Sequence, residues 1–283
     1  MEFIETVELE RSFGDVVAIE GLNLRVREGE VFGFLGPNGA GKTTTVRVLT
    51  TLIRPTAGQA YIGGNEVGRG PDSLNIRAMV GLLPETPGLY ERLSAYQNLE
   101  FYGRLYGVPD GPRRERIRDL LKWVGLWDRR DDAVATFSKG MRQKIAIVRA
   151  LVHEPAVLFL DEPTAGLDPS AAKALRDFLR ELRGEGRTIF LNTHNLFEAE
   201  RVADRIGVVN TRLLAQGSPR ELSARYWKPA TVVRLRETTP AVLEAVEALD
   251  FVERLEVKDE ELHVALDDPK RYNPALVRAI LGA

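Results

Sequence analysis

An α/β fold with a mostly parallel sheet is the class this sequence predicts, on three observations. Short apolar runs at residues 31–35, 79–83, 157–160 and 188–192 alternate with helical patterns, the order that builds parallel sheets. The first run leads straight into a glycine-rich loop and the third ends in two carboxylates, so chemistry-bearing groups stand where buried strands stop. Two stretches depart from the alternation. Residues 87–152 are helical in pattern and rich in arginine, which predicts an inserted helical subdomain, and a β-α-β-β-α pattern near the end predicts a small C-terminal α+β domain.

Alternating Leu22, Leu24 and Val26, a Glu28-Gly29 turn and the run 31–35 predict strands entering the glycine loop. Residues after Thr43 are expected to be helical, 55–58 to turn, and 79–83 to form a buried strand ending at Pro84. Within the inserted stretch, Ser94 and Gln97 form a capping box for a helix carrying Leu99, Tyr102 and Leu105. Core character returns at 157–160, followed by a helix bearing Ala171, Leu175, Phe178, Leu179 and Leu182 and a strand at 188–192. Ser218-Pro219-Arg220-Glu221 opens a short helix, with proline in the first turn and glutamate at the box position. A linker at 226–229 is expected to divide a first domain, 1–227, from a second, 228–283. In the second, 232–235, 252–257 and 262–266 read as strands and 241–249 and 274–281 as helices. There is no internal repeat or sustained heptad pattern.

Composition narrows the function classes. The 283 residues, 44% of them hydrophobic, suffice for a large core. A formal net charge of −2 is not the basic balance of a chain that holds duplex phosphates, so no nucleic-acid partner is expected. The absence of cysteine excludes a disulfide framework and a thiolate metal site. The first residues, Met1-Glu2-Phe3-Ile4-Glu5, are acidic and lack the apolar run of an export signal. Nowhere do about 18 apolar residues run together, so work at a bilayer would require another polypeptide.

Gly36-Pro37-Asn38-Gly39-Ala40-Gly41-Lys42-Thr43, with Thr44 behind it, fits G-x-x-x-x-G-K-[ST]. Glycines let backbone N–H groups turn inward on phosphate oxygens, and a helix starts directly behind them. Lys42 supplies a point charge near the β and γ phosphates, and Thr43 offers its hydroxyl to Mg²⁺. Asp161 and Glu162 emerge from a buried strand beside this loop. Asp161 is the expected magnesium ligand, and Glu162 the group that polarises attacking water, a contribution of roughly 10² to 10⁴ in rate.

These motifs, followed in order by Phe137-Ser138-Lys139-Gly140-Met141 and Thr193-His194, resemble the ATP-binding cassette family over residues 3–217. The resemblance implies a P-loop NTPase core with an N-terminal antiparallel β subdomain and an inserted helical subdomain. It implies ATP and Mg²⁺ as cofactors and an ATPase driving a membrane transporter. The family signature is usually Leu-Ser-Gly-Gly-Gln; Ser138 and Gly140 match, while Lys139 and Met141 depart in a Ser-Lys-Gly-Met version similar to that of drug-resistance and sodium-extrusion exporters. Ser138, Lys139, Gly140 and Met141 are thereby implied to meet the γ-phosphate held by a second copy, in an ATP-bound homodimer. Asp168 resembles the D-loop acid facing the partner, His194 the switch histidine, and Phe13 the aromatic residue stacked on adenine. Glu85 stands where the family's Q-loop has a magnesium-reaching glutamine, and its carboxylate is still a hard-oxygen ligand. The implied partner is a transmembrane permease subunit, with this chain peripheral on the cytoplasmic face. Leu89, Tyr90, Tyr96, Phe101, Tyr102 and Tyr106 serve either the subdomain core or a groove for a permease helix. The competing class is a soluble cassette ATPase acting in DNA repair or translation; a P-loop GTPase would need an Asn-Lys-x-Asp motif, which is absent.

Overall fold

The acidic N-terminal residues are already strand. In the computed structural model, which describes residues 1–226, 230–235, 238–258, 261–266 and 268–283, β1 (Glu2–Phe13) and β2 (Val16–Arg27) form a long antiparallel hairpin. Its alternation buries Ile4, Leu9, Leu22, Leu24 and Val26 on one face. β3 (Val31–Leu35) leads through the glycine loop into α1 (Lys42–Leu49), and β4 (Ala57–Ile62) with β5 (Asn65–Glu66) completes an antiparallel sheet in the order β2-β1-β4-β5. The turn expected at 55–58 is narrower. Gly58 belongs to β4, where its φ of 73° and the closeness of the Glu8 carbonyl leave no room for a side chain.

α2 (Gly70–Met79) precedes β6 (Val80–Leu83); the inserted helices are α3 (Ala95–Leu105), α4 (Asp110–Trp123) and α5 (Lys139–Leu151). The Ser94–Gln97 capping box is formed reciprocally, Gln97 N donating to Ser94 Oγ and Ser94 N to Gln97 Oε1. Then follow β7 (Val157–Asp161), α6 (Pro169–Gly184), β8 (Thr188–Thr193), α7 (Leu196–Val202), β9 (Arg205–Asn210) and β10 (Arg212–Gly217). The main sheet runs β10-β9-β3-β8-β7-β6, all parallel except the β9–β10 hairpin.

Successive side chains of these strands fall into different cores. Phe32, Phe34, Phe159 and Phe190 pack with the N-terminal sheet and α1, while Leu158, Leu160, Ile189 and Leu191 pack with α3 to α6. Burial on both faces explains why the runs read as continuously apolar rather than alternating. Of the ambiguous residues of the inserted stretch, Leu89, Tyr96 and Tyr102 pack against the core, whereas Tyr90, Phe101 and Tyr106 remain exposed. Among the described residues no helix is long and apolar enough to cross a membrane.

The chain forms two units, Met1–Pro219 and Arg220–Ala283, so α8 (Pro219–Tyr226), with its buried Leu222, falls almost wholly in the second rather than before a break at 227/228. Residues 227–229 of the expected linker lie outside the described residues. The second unit holds β11 (Ala230–Arg234), α9 (Pro240–Glu247), β12 (Arg254–Lys258), β13 (Glu261–Ala265) and α10 (Pro269–Gly282) in an antiparallel sheet β11-β13-β12. Val246, Leu262, Val264, Leu266 and Leu276 form its core. α10 begins at Pro269, not at 274, because Asp268 caps it and proline is tolerated at its first position.

Candidate active site

Parallel register brings the functional strand ends to one edge. Leu35 pairs with Thr193 and Asp161 with Asn192, so the glycine loop, Asp161-Glu162 and Thr193-His194 leave the sheet side by side. The loop closes on itself through Ala40 N to Pro37 O, 3.2 Å, and packs tightly against the N-terminal hairpin. Gly41 caps α1 with a φ of 86°, and a β-carbon there would collide with the Ala18 carbonyl. No acid lies in the first turn of α1, leaving its N–H groups to an external anion.

A cleft of about 340 Å³ is lined by Asn38, Gly39, Gly41, Lys42, Thr43, Thr44, Glu85, Glu162 and Ala18. Lys42 is 6% exposed and donates to the Gly36 and Pro37 carbonyls at 2.9 and 3.0 Å. Its ammonium stands 4.0 Å from Glu162 Oε1, which also lies 2.8 Å from His194 Nδ1. The other Glu162 oxygen accepts from the Thr193 hydroxyl at 3.4 Å. Glu162 adopts φ 48° and donates its N–H to Asn192 O, turning its side chain off the strand line into the cleft.

Asp161 is 3% exposed. Burial holds its carboxyl above the usual carboxylate range, against hydrogen bonds from the Thr43 hydroxyl and Asn192 amide that favour ionisation; Glu162 and Glu85 add to the rise. Among the described residues no three acidic or histidine side chains converge as a metal cage; the oxygen donors here are Asp161, bonded to the Thr43 hydroxyl, with Glu85 and Glu162 lining the cleft, and a site of few protein oxygens completed by phosphate and water is what magnesium uses. Asn192 is a residue that the motif reading missed: a fully buried amide directly after the apolar run Ile189-Phe190-Leu191, placed by register opposite Asp161. Its polarity at a core position is the signal that could have found it.

The signature residues do not line this cleft. Ser138 caps α5, accepting from Met141 N at 3.3 Å, and Gly140 approaches α6 at Ala171. The Lys139 ammonium lies over Gly166. Asp168 caps α6, accepting from Ser170 N and Ala171 N, both at 2.9 Å. Gln143, one turn into α5, donates to Pro163 O at 2.9 Å and so ties the signature helix to the residue after Glu162. Phe13 ends β1, 47% exposed, under the Arg11 guanidinium, and is not among the residues lining the cleft.

Residues 19–165 match the family described as ABC transporter. The chain is 46% identical over 231 residues to the daunorubicin resistance ATP-binding protein DrrA3 of Streptomyces coeruleorubidus, covering 81% of this chain and 72% of that one. It is 31% identical over 282 residues to the linearmycin resistance ATP-binding protein LnrL of Bacillus subtilis (strain 168), covering 99% and 89%. A dimeric post-hydrolysis structure of the ATP-binding cassette MJ0796, bound to ADP and Pi, matches with a TM-score of 0.70 and 26% identity over 77% of this chain and 99% of that one.

Proposed function

The chain belongs to the ABC transporter family as an ATP-hydrolysing subunit of the exporter type, and from that membership we propose that its catalytic sites form between two copies. Each site joins the phosphate loop, Glu162 and His194 of one copy to Ser138, Lys139, Gly140 and Met141 of the other, with Asp168 at the join. The dimeric MJ0796 structure supports pairing of this kind. The alternative of a soluble cassette ATPase in DNA repair or translation finds no support among resistance ATP-binding relatives.

The observation that carries the assignment is the shared engagement of Glu162 by Lys42 and His194. Lys42 offsets the charge of the carboxylate, and the His194 imidazole lies within hydrogen-bond distance of it. Phosphates entering the glycine loop compete for both, since a triphosphate is the denser anion. Lys42 then turns from the Gly36 and Pro37 carbonyls to the phosphates, His194 follows the γ-phosphate, and Glu162 is left to accept a proton from water. Magnesium would be held by Thr43 and Asp161 with Glu85 as a further oxygen donor, supplying positive charge to the phosphates. Phe13 stacks on adenine from the hairpin tip.

Closure of the pair drives a transmembrane permease, and hydrolysis reopens it. Exposed Tyr90, Phe101 and Tyr106 supply an aromatic surface suited to a permease helix, which would hold the chain on the cytoplasmic face. Glu162→Gln tests the scheme. It should retain ATP binding, lose roughly 10² to 10⁴ in kcat, and accumulate as an ATP-bound dimer in sedimentation velocity. A variant that stays monomeric at saturating ATP would refute the composite site.

A further inference from the structure

Beside the signature end of α5 lies a second concavity, about 270 Å³, which shares no residue with the nucleotide cleft. It exists because small side chains meet where α5 faces α6: Gly140 on one helix, Ala171 and Ala174 on the other. Its floor is apolar, with Ile147 and Leu175 almost fully buried. Its wall is aromatic. Trp123 and Phe178 overlap with centroids 3.7 Å apart, and the indole N–H is anchored on Glu181 Oε2 at 2.5 Å. The concavity opens to solvent, and a ligand seated in it would bury these apolar and aromatic faces.

The polar groups at the cavity are unequal in what they can still accept. Asp177 and Glu181 sit one turn apart on α6. Arg180 bonds one Asp177 oxygen at 2.7 Å and Trp123 one Glu181 oxygen, yet each carboxylate retains acceptor capacity. The cation among the lining residues, Lys144, is turned to the Val124 carbonyl at 3.1 Å. Acceptors therefore remain for an incoming donor, next to aromatic faces that favour a flat ring and a cation.

We propose that this cavity between α5, α6 and the end of α4 binds a planar fused-ring aromatic compound carrying a protonated amine, and that the occupant slows ATP turnover. The ring lies against Trp123 and Phe178, and the amine reaches Asp177 and Glu181. Coupling follows from the lining: Gly140 belongs to the signature and Leu167 to the segment before Asp168, while Gln143 also bonds Pro163 O beside Glu162. An occupant thus touches the elements that set Glu162 and the face offered to the partner, without touching the phosphate loop. The effect on turnover rests on the composite-site proposal; binding does not.

Fluorescence titration of the full chain without nucleotide, using 9-aminoacridine as the probe, tests the site. Saturable one-to-one binding is expected, with acridine-9-carboxylate, the same ring with opposite charge, at least tenfold weaker. Ala174→Trp fills the mouth from an exposed helix position, and should abolish both probe binding and the effect of the probe on turnover while leaving circular dichroism unchanged. Asp177→Asn should weaken the amine several-fold and not the carboxylate. Absence of saturable binding, equal affinity for the two acridines, or undiminished binding to Ala174→Trp overturns the site. In steady-state hydrolysis the probe should lower kcat with the KM for ATP unchanged; displacement of the probe by ATP would put it in the nucleotide cleft and also overturn the proposal.

Discussion

In the nucleotide cleft the chain answers its own charges: Lys42 lies between two loop carbonyls and Glu162, Glu162 against His194, and Asp161 beneath Thr43 and Asn192. At the N-terminus of α5 it does not. Among the described residues neither the Lys139 ammonium nor the Arg142 guanidinium has an ion-pair partner, and no acid falls in the helix's first turn. A cation at the positive end of a helix dipole costs about 0.3–1 kcal/mol. The charges of the cleft are therefore met within the chain, whereas those at the start of α5 are not. The contrast is what the proposed composite site requires: an anion brought to the signature end by the second copy.

The largest effect that could break this contrast is complementation. Lys42→Met and Ser138→Arg should each abolish hydrolysis, yet a mixture should recover part of it, because a mixed dimer pairs the intact loop of one chain with the intact signature of the other. A mixture as inactive as its components would mean that the halves do not combine. Asn192→Leu tests self-compensation in the cleft. Depriving buried Asp161 of a donor should cost about 1–3 kcal/mol in urea unfolding of the nucleotide-free protein at neutral pH, and an unchanged midpoint would show that the amide is dispensable.

Lys139→Met should have opposite effects in the two states. Removing the unpartnered cation stabilises the nucleotide-free chain by about 0.3–1 kcal/mol and weakens the ATP-dependent dimer. Equal shifts of one sign in thermal unfolding and in dimer dissociation would contradict an anion-receiving role. The smallest change expected is in Glu85→Gln, which keeps an oxygen donor and removes a charge facing Asp161. The magnesium midpoint for turnover should move while saturated kcat stays near wild type, and an unmoved titration would remove Glu85 from the metal site.

Legibility in the sequence followed the range of the forces involved. The glycine loop, the strand before it and Asp161-Glu162 were readable because loop chemistry and an apolar run lie within a few residues of each other. Strand β1 was not read. Its alternation is broken by register shifts at Thr6–Leu9 and Leu9–Arg11, which hide the period-2 pattern. β9 and β10 were also missed, as short strands recognisable by pairing rather than by composition. In the site, the sequence named Glu162 and His194 separately, but their contact depends on a left-handed backbone at Glu162 and on the parallel alignment of β7 with β8.

The sequence by itself determined which groups could do the chemistry: a phosphate loop with its lysine and threonine, two carboxylates at a strand end, a histidine after another strand, and a capped helix opening with serine. These follow from local residue type and spacing, which act over a turn or a strand. Tertiary structure alone decided that Lys42 and His194 both meet Glu162, that Asn192 lies against Asp161, and that small residues leave a cavity beside the signature. Those outcomes depend on which strands become neighbours and how two helices pack, and a contact between residues 31 or more positions apart leaves no pattern in the chain's local order.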